Sequence, residues 1–241
     1  MRSAPPPSTL LDRVAAMLGA FDAGRGQLTL AELAEHTGIP RTSSYRILER
    51  MVTMRWLQRH GSAYELGPRL MELGSLALHR NSLSIAAQPS VHWLHRTTGH
   101  VVFLGILDGP DVLYLERVGG SLAQQLPSRP GSRQPAHRSA IGRSLLASVS
   151  GADDIGASAD VEMRRIREQG FAFESSRVGG GINIIAAPID TRGGLRAGIS
   201  ICGRPSRVQF SQAHGAPVRQ AADAILRALD RTRLSRSRGR S

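Results

Sequence analysis

The sequence predicts an α+β protein in two parts, a small N-terminal unit of helices closed by a β-hairpin and a larger C-terminal unit of mixed strands and helices. The first observation is a length of 241 residues, which exceeds a typical domain of about 100–150 residues. The second is the spacing of apolar residues, which is helical at first and then alternates as in strands at 56–66 and 101–118. The third is a composition of 41% hydrophobic and 21% charged residues, which is typical of a folded chain.

Two helices open the N-terminal unit. Apolar residues recur at near-helical spacing from Leu11 to Phe21 and predict a first amphipathic helix. Thr29 and Glu32 then form a capping box, in which the hydroxyl and the carboxylate each accept a hydrogen bond from a free backbone N–H. Gly38 is expected to end this short second helix.

A third helix is predicted after Pro40, with an apolar face at i, i+3, i+4 and i+7 that consists of Ser44, Ile47, Leu48 and Met51. Its opposite face presents cationic, hydroxyl and aromatic side chains, namely Arg41, Thr42, Ser43, Tyr45, Arg46 and Arg50. Two short helices joined by a glycine turn are the arrangement that places a recognition helix in the major groove. Hydroxyls and first-turn amides suit phosphates, and arginine can bind guanine edges. A plain three-helix packing unit with a polar face remains the alternative at this point.

A β-hairpin is predicted directly after this helix, with strands at 56–59 and 63–66 and with Arg59 and His60 near its tip. The hairpin favours a winged helix-turn-helix over residues 1–67 and a double-stranded DNA partner. An amphipathic linker helix follows at 68–80, and its apolar face lacks a partner within the small unit. We therefore expect it to pair with a second copy, and such a dimer suits an inverted-repeat operator.

The net charge of +12 and a sequence pI near 11.5 favour a polyanionic partner, with nucleic acid ahead of an anionic membrane surface. All 31 basic residues are arginine, and five lie in residues 231–241, which are predicted to form a disordered tail. The first residues lack a signal-peptide pattern, and Cys202 is the single cysteine of the chain. These features predict a cytoplasmic protein that does not enter the membrane.

Residues 81–230 are predicted to form a sheet with helices packed on it, and they contain candidate ligand-facing positions. Ser200 and Cys202 are two apart on a predicted strand and therefore share a face, and Ser139 is expected to cap a helix whose first amides could receive an anion. Ordinary core or loop roles remain equally open. His92 and His95 lie one helical turn apart, but two ligands are too few for a metal site. No catalytic motif is present, so we expect no enzyme, no metal and no cofactor.

Both halves of the chain resemble the IclR family of bacterial transcription regulators. The resemblance lies in residues 30–48 and 64–70 and in residues 131–147, 167–174, 184–189 and 197–203. It implies a winged helix-turn-helix, a linker helix that pairs protomers and a GAF-like effector-binding domain, assembled as a homodimer or a dimer of dimers. Most members are repressors. An effector pocket is implied at Ala123, Ala140, Ile141, Glu174, Ile184, Ser200 and Cys202.

This chain departs from the family pattern at Ile141, Glu174 and Ile184. Isoleucine stands at two positions that are usually small, and glutamate stands where the acid is usually shorter. These departures predict a narrower and more apolar pocket. Two other functional hypotheses stay open from sequence alone, a ligand-sensing scaffold whose winged helix binds a protein and, with less support, an enzyme.

Overall fold

The computed structural model describes residues 9–23, 26–148, 157–177, 180–190 and 194–238. The chain divides into two compact units, Met1–Arg80 and Asn81–Ser241.

The N-terminal unit begins with three helices: α1 (Leu10–Gly19), α2 (Leu30–Thr37) and α3 (Arg41–Thr53). The capping box of α2 is confirmed, since the Thr29 hydroxyl accepts from the Glu32 N–H and the Glu32 carboxylate accepts from the Thr29 N–H. Gly38 ends α2 in the left-handed conformation with φ 66°, where glycine carries no Cβ penalty. The helix-turn-helix therefore forms where the spacing and the caps predict it.

A small antiparallel sheet completes this unit. Its strands are β1 (Leu28–Thr29), β2 (Leu57–His60) and β3 (Ala63–Leu66), in the spatial order β1-β3-β2. The β2–β3 hairpin confirms the predicted wing, whereas β1 is too short to show any alternation in the sequence. The core beneath the sheet joins helix and strand side chains, among them Met17, Leu33, Leu48, Leu57 and Tyr64.

A tight junction links the wing to helix α4 (Pro68–Arg80). Arg55 takes the left-handed conformation with φ 61° just after α3. The Gly67 N–H donates to the Trp56 carbonyl at 2.7 Å, and the Arg69 N–H donates to the Arg55 carbonyl at 3.1 Å. The chain crosses itself so closely here that a Cβ at Gly67 would lie 2.3 Å from the Arg55 carbonyl oxygen. Only glycine fits this crossing.

The C-terminal unit is built on a six-stranded antiparallel sheet in the order β6-β5-β4-β9-β8-β7. Its elements in chain order are α5 (Ser82–Thr98), β4 (Val101–Asp108), β5 (Asp111–Val118), α6 (Ser121–Gln125), β6 (Arg133–Pro135), α7 (Ala140–Ala147), α8 (Ala157–Gln169), β7 (Ala172–Ser176), β8 (Ile182–Asp190), β9 (Arg196–Gly203) and α9 (Gln212–Arg238). The predicted α+β architecture is confirmed. Helix α6 and strands β6 and β7 were not predicted.

Helices cover both faces of this sheet. Alternate strand residues such as Leu104 and Ile199 pack on one face against Leu94 of α5 and Ile225 of α9. The intervening residues, such as Phe103, face the opposite side, where α7 and α8 pack. Because strand side chains alternate between faces, the β-strand period decides which residues reach the second side.

The prediction of a disordered tail from residue 231 is wrong for residues 231–238, because α9 continues to Arg238. Arginine is among the stronger helix formers, and extending an existing helix avoids the cost of nucleation. Residues 239–241 of the predicted tail lie outside the described residues.

Candidate nucleic-acid interface and ligand cavity

Helix α3 buries one face and exposes the other as predicted. Ser44, Ile47, Leu48 and Met51 are buried. Among the candidate DNA-contacting residues, Ser43 is half-buried, and the exposed ones on this helix are Arg41, Thr42, Tyr45, Arg46 and Arg50. Pro40 precedes the helix and provides no side-chain cap, so the first-turn amides can face an external acceptor.

The arginines of this face carry charge that the protein does not neutralise. Within the described part of the chain, Arg41, Arg46 and Arg50 form no ion pair. Thr42 and Arg46, four residues apart, lie together near the centre of the exposed face. Such unpaired guanidinium groups are suited to phosphates and guanine edges.

The wing residues differ, because each already contacts an acid. Arg59 Nη1 lies 3.4 Å from Glu49 Oε1 of α3, and its guanidinium lies 5.7 Å from the Tyr64 ring centre. His60 Nε2 lies 3.0 Å from Glu65 Oε1. Arg59 and His60 are exposed and reach the hairpin tip, but each already has a carboxylate partner within the unit. The Arg59–Glu49 contact also ties the wing to α3.

Helix α4 buries none of its residues within the described structure. Four of its large apolar side chains are exposed: Met71 at 75%, Leu73 at 41%, Leu76 at 52% and Leu78 at 44%. Glu72 pairs with Arg55 at 3.2 Å and with Arg69 at 2.7 Å, which fixes the first turn of α4 to the end of α3. The remaining helix presents an uncovered apolar surface, which is unfavourable in water unless another surface covers it.

A cavity of about 70 Å³ lies on the α7 side of the C-terminal sheet. Six of the seven predicted pocket residues line it: Ala140, Ile141, Glu174, Ile184, Ser200 and Cys202. Further wall residues that the sequence did not indicate are Phe103, Tyr114, Leu126, Pro127, Ser128, Gln134, Ser176 and Ile182. The cavity is narrow, but its wall is mixed rather than mainly apolar.

Ala123 is the exception. It is buried at 5% exposure in the apolar cluster beside the cavity and is not one of the wall residues. Its carbonyl oxygen accepts a hydrogen bond from Arg117 Nη1 at 2.8 Å, which holds the short helix α6 against β5. Its placement in the pocket was therefore wrong for this structure.

Strand register explains how distant residues meet in the cavity. Glu174 on β7 pairs with Ile184 on β8, and Ile184 pairs in turn with Cys202 on β9. Phe103 on β4 pairs with Ser200 on β9. These rows run across four strands on the same face of the sheet. The predicted common face of Ser200 and Cys202 is confirmed.

Glu174 is the acidic group of this wall. Its carboxylate lies 3.4 Å from Nη2 of Arg143, a residue of α7. Arg143 is shared, because its Nε also lies 3.0 Å from Glu162 Oε1. Burial raises the pKa of Glu174, although Arg143 and the Ala140 N–H act in the opposite direction. The carboxylate is therefore only partly compensated.

Two other titratable groups of the wall stay neutral near pH 7. Burial raises the pKa of Tyr114 to about 12, and its hydroxyl donates to Gln134 Oε1 at 2.9 Å. Burial likewise raises the pKa of Cys202 to about 12. A thiol of this kind is a poor nucleophile, because reactivity requires the thiolate.

Neither a metal site nor a membrane-spanning helix has a candidate among the residues that the structure describes. The described residues contain no cluster of three or more His, Cys, Asp or Glu side chains that could hold a metal ion. Across the same part of the chain, no helix has the length and apolar character needed to cross a membrane.

Known proteins share both the sequence and the fold of this chain. Residues 10–61 match the profile of the IclR helix-turn-helix domain, and residues 75–154 match that of the bacterial transcriptional regulator IclR C-terminal domain. The Pca regulon regulatory protein of Pseudomonas putida is 28% identical over 85% of this chain and 77% of its own length. The HTH-type transcriptional regulator XynR of Escherichia coli is 26% identical over 91% of this chain and 96% of its own.

A solved structure also resembles this fold. It is an IclR homolog complexed with 4-hydroxybenzoate from Microbacterium hydrocarbonoxydans, with a TM-score of 0.79 at 23% identity. The match covers 92% of this chain and 99% of that one.

Proposed function

This chain belongs to the IclR family of bacterial transcription regulators, and from that premise we propose how it binds its operator and responds to a small molecule. It is a DNA-binding transcription regulator, and we take repression as its direction, as in most of the family. Its chemistry is then recognition rather than catalysis. Its site of action is the cytoplasm, where the chromosome lies.

The exposed face of α3 reads the operator. Arg46 and Thr42 lie at the centre of this face, and the unpaired charge of the α3 arginines is the observation that carries the assignment. Ser43, Tyr45 and the uncapped first-turn amides contact phosphates and fix the register. On the wing, Arg59 and His60 add backbone contacts, and their acidic partners make these weaker than the contacts from α3.

A second copy of the chain covers the apolar face of α4. Isologous pairing relates the two α3 helices by a two-fold axis, so each protomer reads one half of an inverted repeat. The exposure of Met71 and Leu76 supports this arrangement. The same pairing allows a dimer of dimers when a second surface joins two pairs.

The cavity between α7 and the sheet receives the effector. Its support is the convergence of six family pocket positions on one enclosed space, namely Ala140, Ile141, Glu174, Ile184, Ser200 and Cys202. The solved structure of the IclR homolog from Microbacterium hydrocarbonoxydans is a complex with 4-hydroxybenzoate, and this small-molecule complex of a protein with the same fold supports an effector role for the C-terminal unit. Ligand bound here changes the operator affinity of the dimer.

The test is a salt titration of binding to genomic DNA fragments, including the region upstream of the chain's own gene, followed by sequencing of the retained fragments. Retention of an inverted repeat at moderate salt is expected. Uniform and salt-sensitive retention of all fragments would instead mean that arginine charge alone drives binding. In that case the protein-binding scaffold becomes the better hypothesis.

Arg46→Ala identifies the reading face. We expect it to weaken operator binding by about 1–3 kcal/mol, the usual range for one bidentate base contact. Arg96→Ala removes the same charge from the exposed surface of α5 and is the matched control. Equal losses in the two variants would show that Arg46 contributes charge without reading a base.

A further inference from the structure

The cavity wall has an unusual charge balance for a pocket that receives an organic acid. Among the wall residues that the structure describes, Glu174 is the one carboxylic acid, and no arginine or histidine joins it. Arg143 lies outside the wall and contacts both Glu174 and Glu162, at 3.4 Å and 3.0 Å. One guanidinium group is therefore shared by two carboxyl groups next to the cavity.

The start of α7 is already occupied. An incoming carboxylate would be expected to bind the first amides of this helix, where the partial positive charge of the helix dipole lies. In this chain the Gly142 N–H donates to Ser139 Oγ at 2.9 Å, and the backbone N–H of Ala140 acts to lower the pKa of the Glu174 carboxyl. The Glu174 carboxyl therefore lies where an incoming carboxylate would be expected to bind.

Two aromatic residues of the wall belong to groups that attract cations. Phe103 and Tyr114 both line the cavity and form an edge-to-face pair, with ring centres 5.4 Å apart and an angle of 61° between the rings. The faces of aromatic rings carry negative partial charge and attract ammonium groups within about 6 Å. Arg117, the nearest cation on β5, donates its Nη1 protons to the carbonyl oxygens of Ala123 and Ser128.

We propose that Glu174 is the built-in anion of this cavity, so that the effector carries an amine in place of a carboxylate. The ammonium group binds between Glu174 and the Phe103 and Tyr114 rings, and its carbon skeleton contacts Ile141 and Ile184. This inference rests on the proposed effector role of the cavity and adds the chemical class of the ligand. The small cavity volume favours a compact molecule.

Three compounds with the same carbon skeleton test the charge preference: isobutylamine, isobutanol and isobutyrate. Each is titrated into the full-length protein labelled at isoleucine δ1 methyl groups and followed by methyl NMR. Ile141, Ile182 and Ile184 report on the cavity, and Ile199, Ile201 and Ile225 report on the opposite face of the sheet. We expect isobutylamine to shift the cavity methyls with an affinity about tenfold or more above that of isobutyrate, as one charged hydrogen bond predicts.

Glu174→Gln keeps the shape of the side chain and removes its charge, so it should abolish the preference for the amine. Glu162→Gln is the matched control, because Glu162 contacts the same arginine but is not one of the cavity-lining residues. It should leave the preference for the amine in place. The same loss of preference in both variants would overturn the assignment to Glu174.

A titration of the unmodified protein gives a second measurement that does not depend on a variant folding. Glu174 faces Arg143 of α7, Glu162 of α8, Tyr114 of β5 and Cys202 of β9. Tyr114 and Cys202 stay protonated below pH 8, because burial raises the pKa of each to about 12. Because the pKa of Glu174 is raised, its carboxylate takes up a proton above the usual pH range of a glutamate, and isobutylamine binding should weaken there.

The outcomes separate this inference from the proposed function. If isobutyrate shifts the cavity methyls with higher affinity than isobutylamine does, the proposal of an amine effector is wrong, but the cavity remains the effector site. If none of the three compounds shifts the cavity methyls, both the amine and the cavity are overturned.

Discussion

Gly67→Ala tests whether the close crossing between the wing and α4 stabilises the N-terminal unit. The added Cβ would lie 2.3 Å from the Arg55 carbonyl oxygen and 2.9 Å from the Trp56 carbonyl carbon. Both are backbone atoms, so no side chain can rotate away to make room. The two chain segments that cross here must separate, and the Gly67–Trp56 and Arg69–Arg55 hydrogen bonds lengthen or break.

The expected loss follows from these two hydrogen bonds. Each contributes about 0.5–1.5 kcal/mol to the free energy of unfolding. Replacing glycine restricts the unfolded chain and returns about 0.4–1 kcal/mol. The net effect is a destabilisation of about 1–2 kcal/mol, which lowers the urea midpoint by about 1 M at an m-value of about 1–2 kcal/mol/M.

Tryptophan fluorescence during urea unfolding measures this change. The chain has two tryptophans: Trp56 lies at the crossing, and Trp93 belongs to the C-terminal unit and packs against the core of that unit. The substitution Trp93→Phe therefore leaves Trp56 as the single fluorescent reporter. Gly19→Ala is the control, because its Cβ would meet nothing within 4 Å. A Gly67→Ala midpoint equal to or above that of the parent would refute the steric argument, as would an equal loss in the control.

Three further predictions concern self-association, a helix cap and a buried histidine. Leu76→Glu places a charge on the exposed apolar face of α4 and should shift the protein toward the monomer in sedimentation velocity runs; an unchanged dimer would place the interface elsewhere. Ser139→Ala removes the acceptor for the Gly142 N–H and should lower the free energy of unfolding by about 0.5–2 kcal/mol, measured by denaturant titration of the C-terminal unit. The pKa of His100 lies below its ordinary 6.5, because burial and, to a smaller extent, the nearby His214 disfavour the charged imidazole. The folded state therefore binds this proton less readily than the unfolded state does. The free energy of unfolding should be highest above pH 6.5 and should fall as the pH drops toward the pKa of the folded state. His100→Gln should flatten that part of the stability curve, and an unchanged slope would assign it to another group.

The sequence indicated the N-terminal unit well because its signals are local. The i, i+3, i+4 and i+7 pattern of α3 and the capping box of α2 each depend on residues within one or two turns. The same holds for the shared face of Ser200 and Cys202, which follows from the strand period alone. Once the buried face of α3 is known, the residues on its opposite face are predicted to be exposed.

The cavity was only partly predictable because its geometry depends on pairing between distant strands. Phe103 and Tyr114 reach the cavity through the register of β4 and β5 with their neighbours, which no local pattern specifies. Strands β6 and β7 are short, and β6 has no apolar alternation. Ala123 was placed in the wall by resemblance, yet the chain after β5 turns it into the core. The many like charges of residues 231–238 predicted disorder, but these residues continue helix α9, for which arginine has a favourable propensity.

The junction after α3 gives the N-terminal unit a mechanical property. Arg55 and Arg69 share Glu72, and their backbones are hydrogen-bonded, so the end of α3 and the first turn of α4 form one connected corner. The 13 residues of α4 extend about 20 Å, so a tilt of about 10° between paired α4 helices would displace the attached corner by about 3 Å, close to the 3.4 Å rise of one base pair. If α4 pairs two copies as proposed, a change of this size in their crossing angle would move each α3 by about one base-pair step along the DNA.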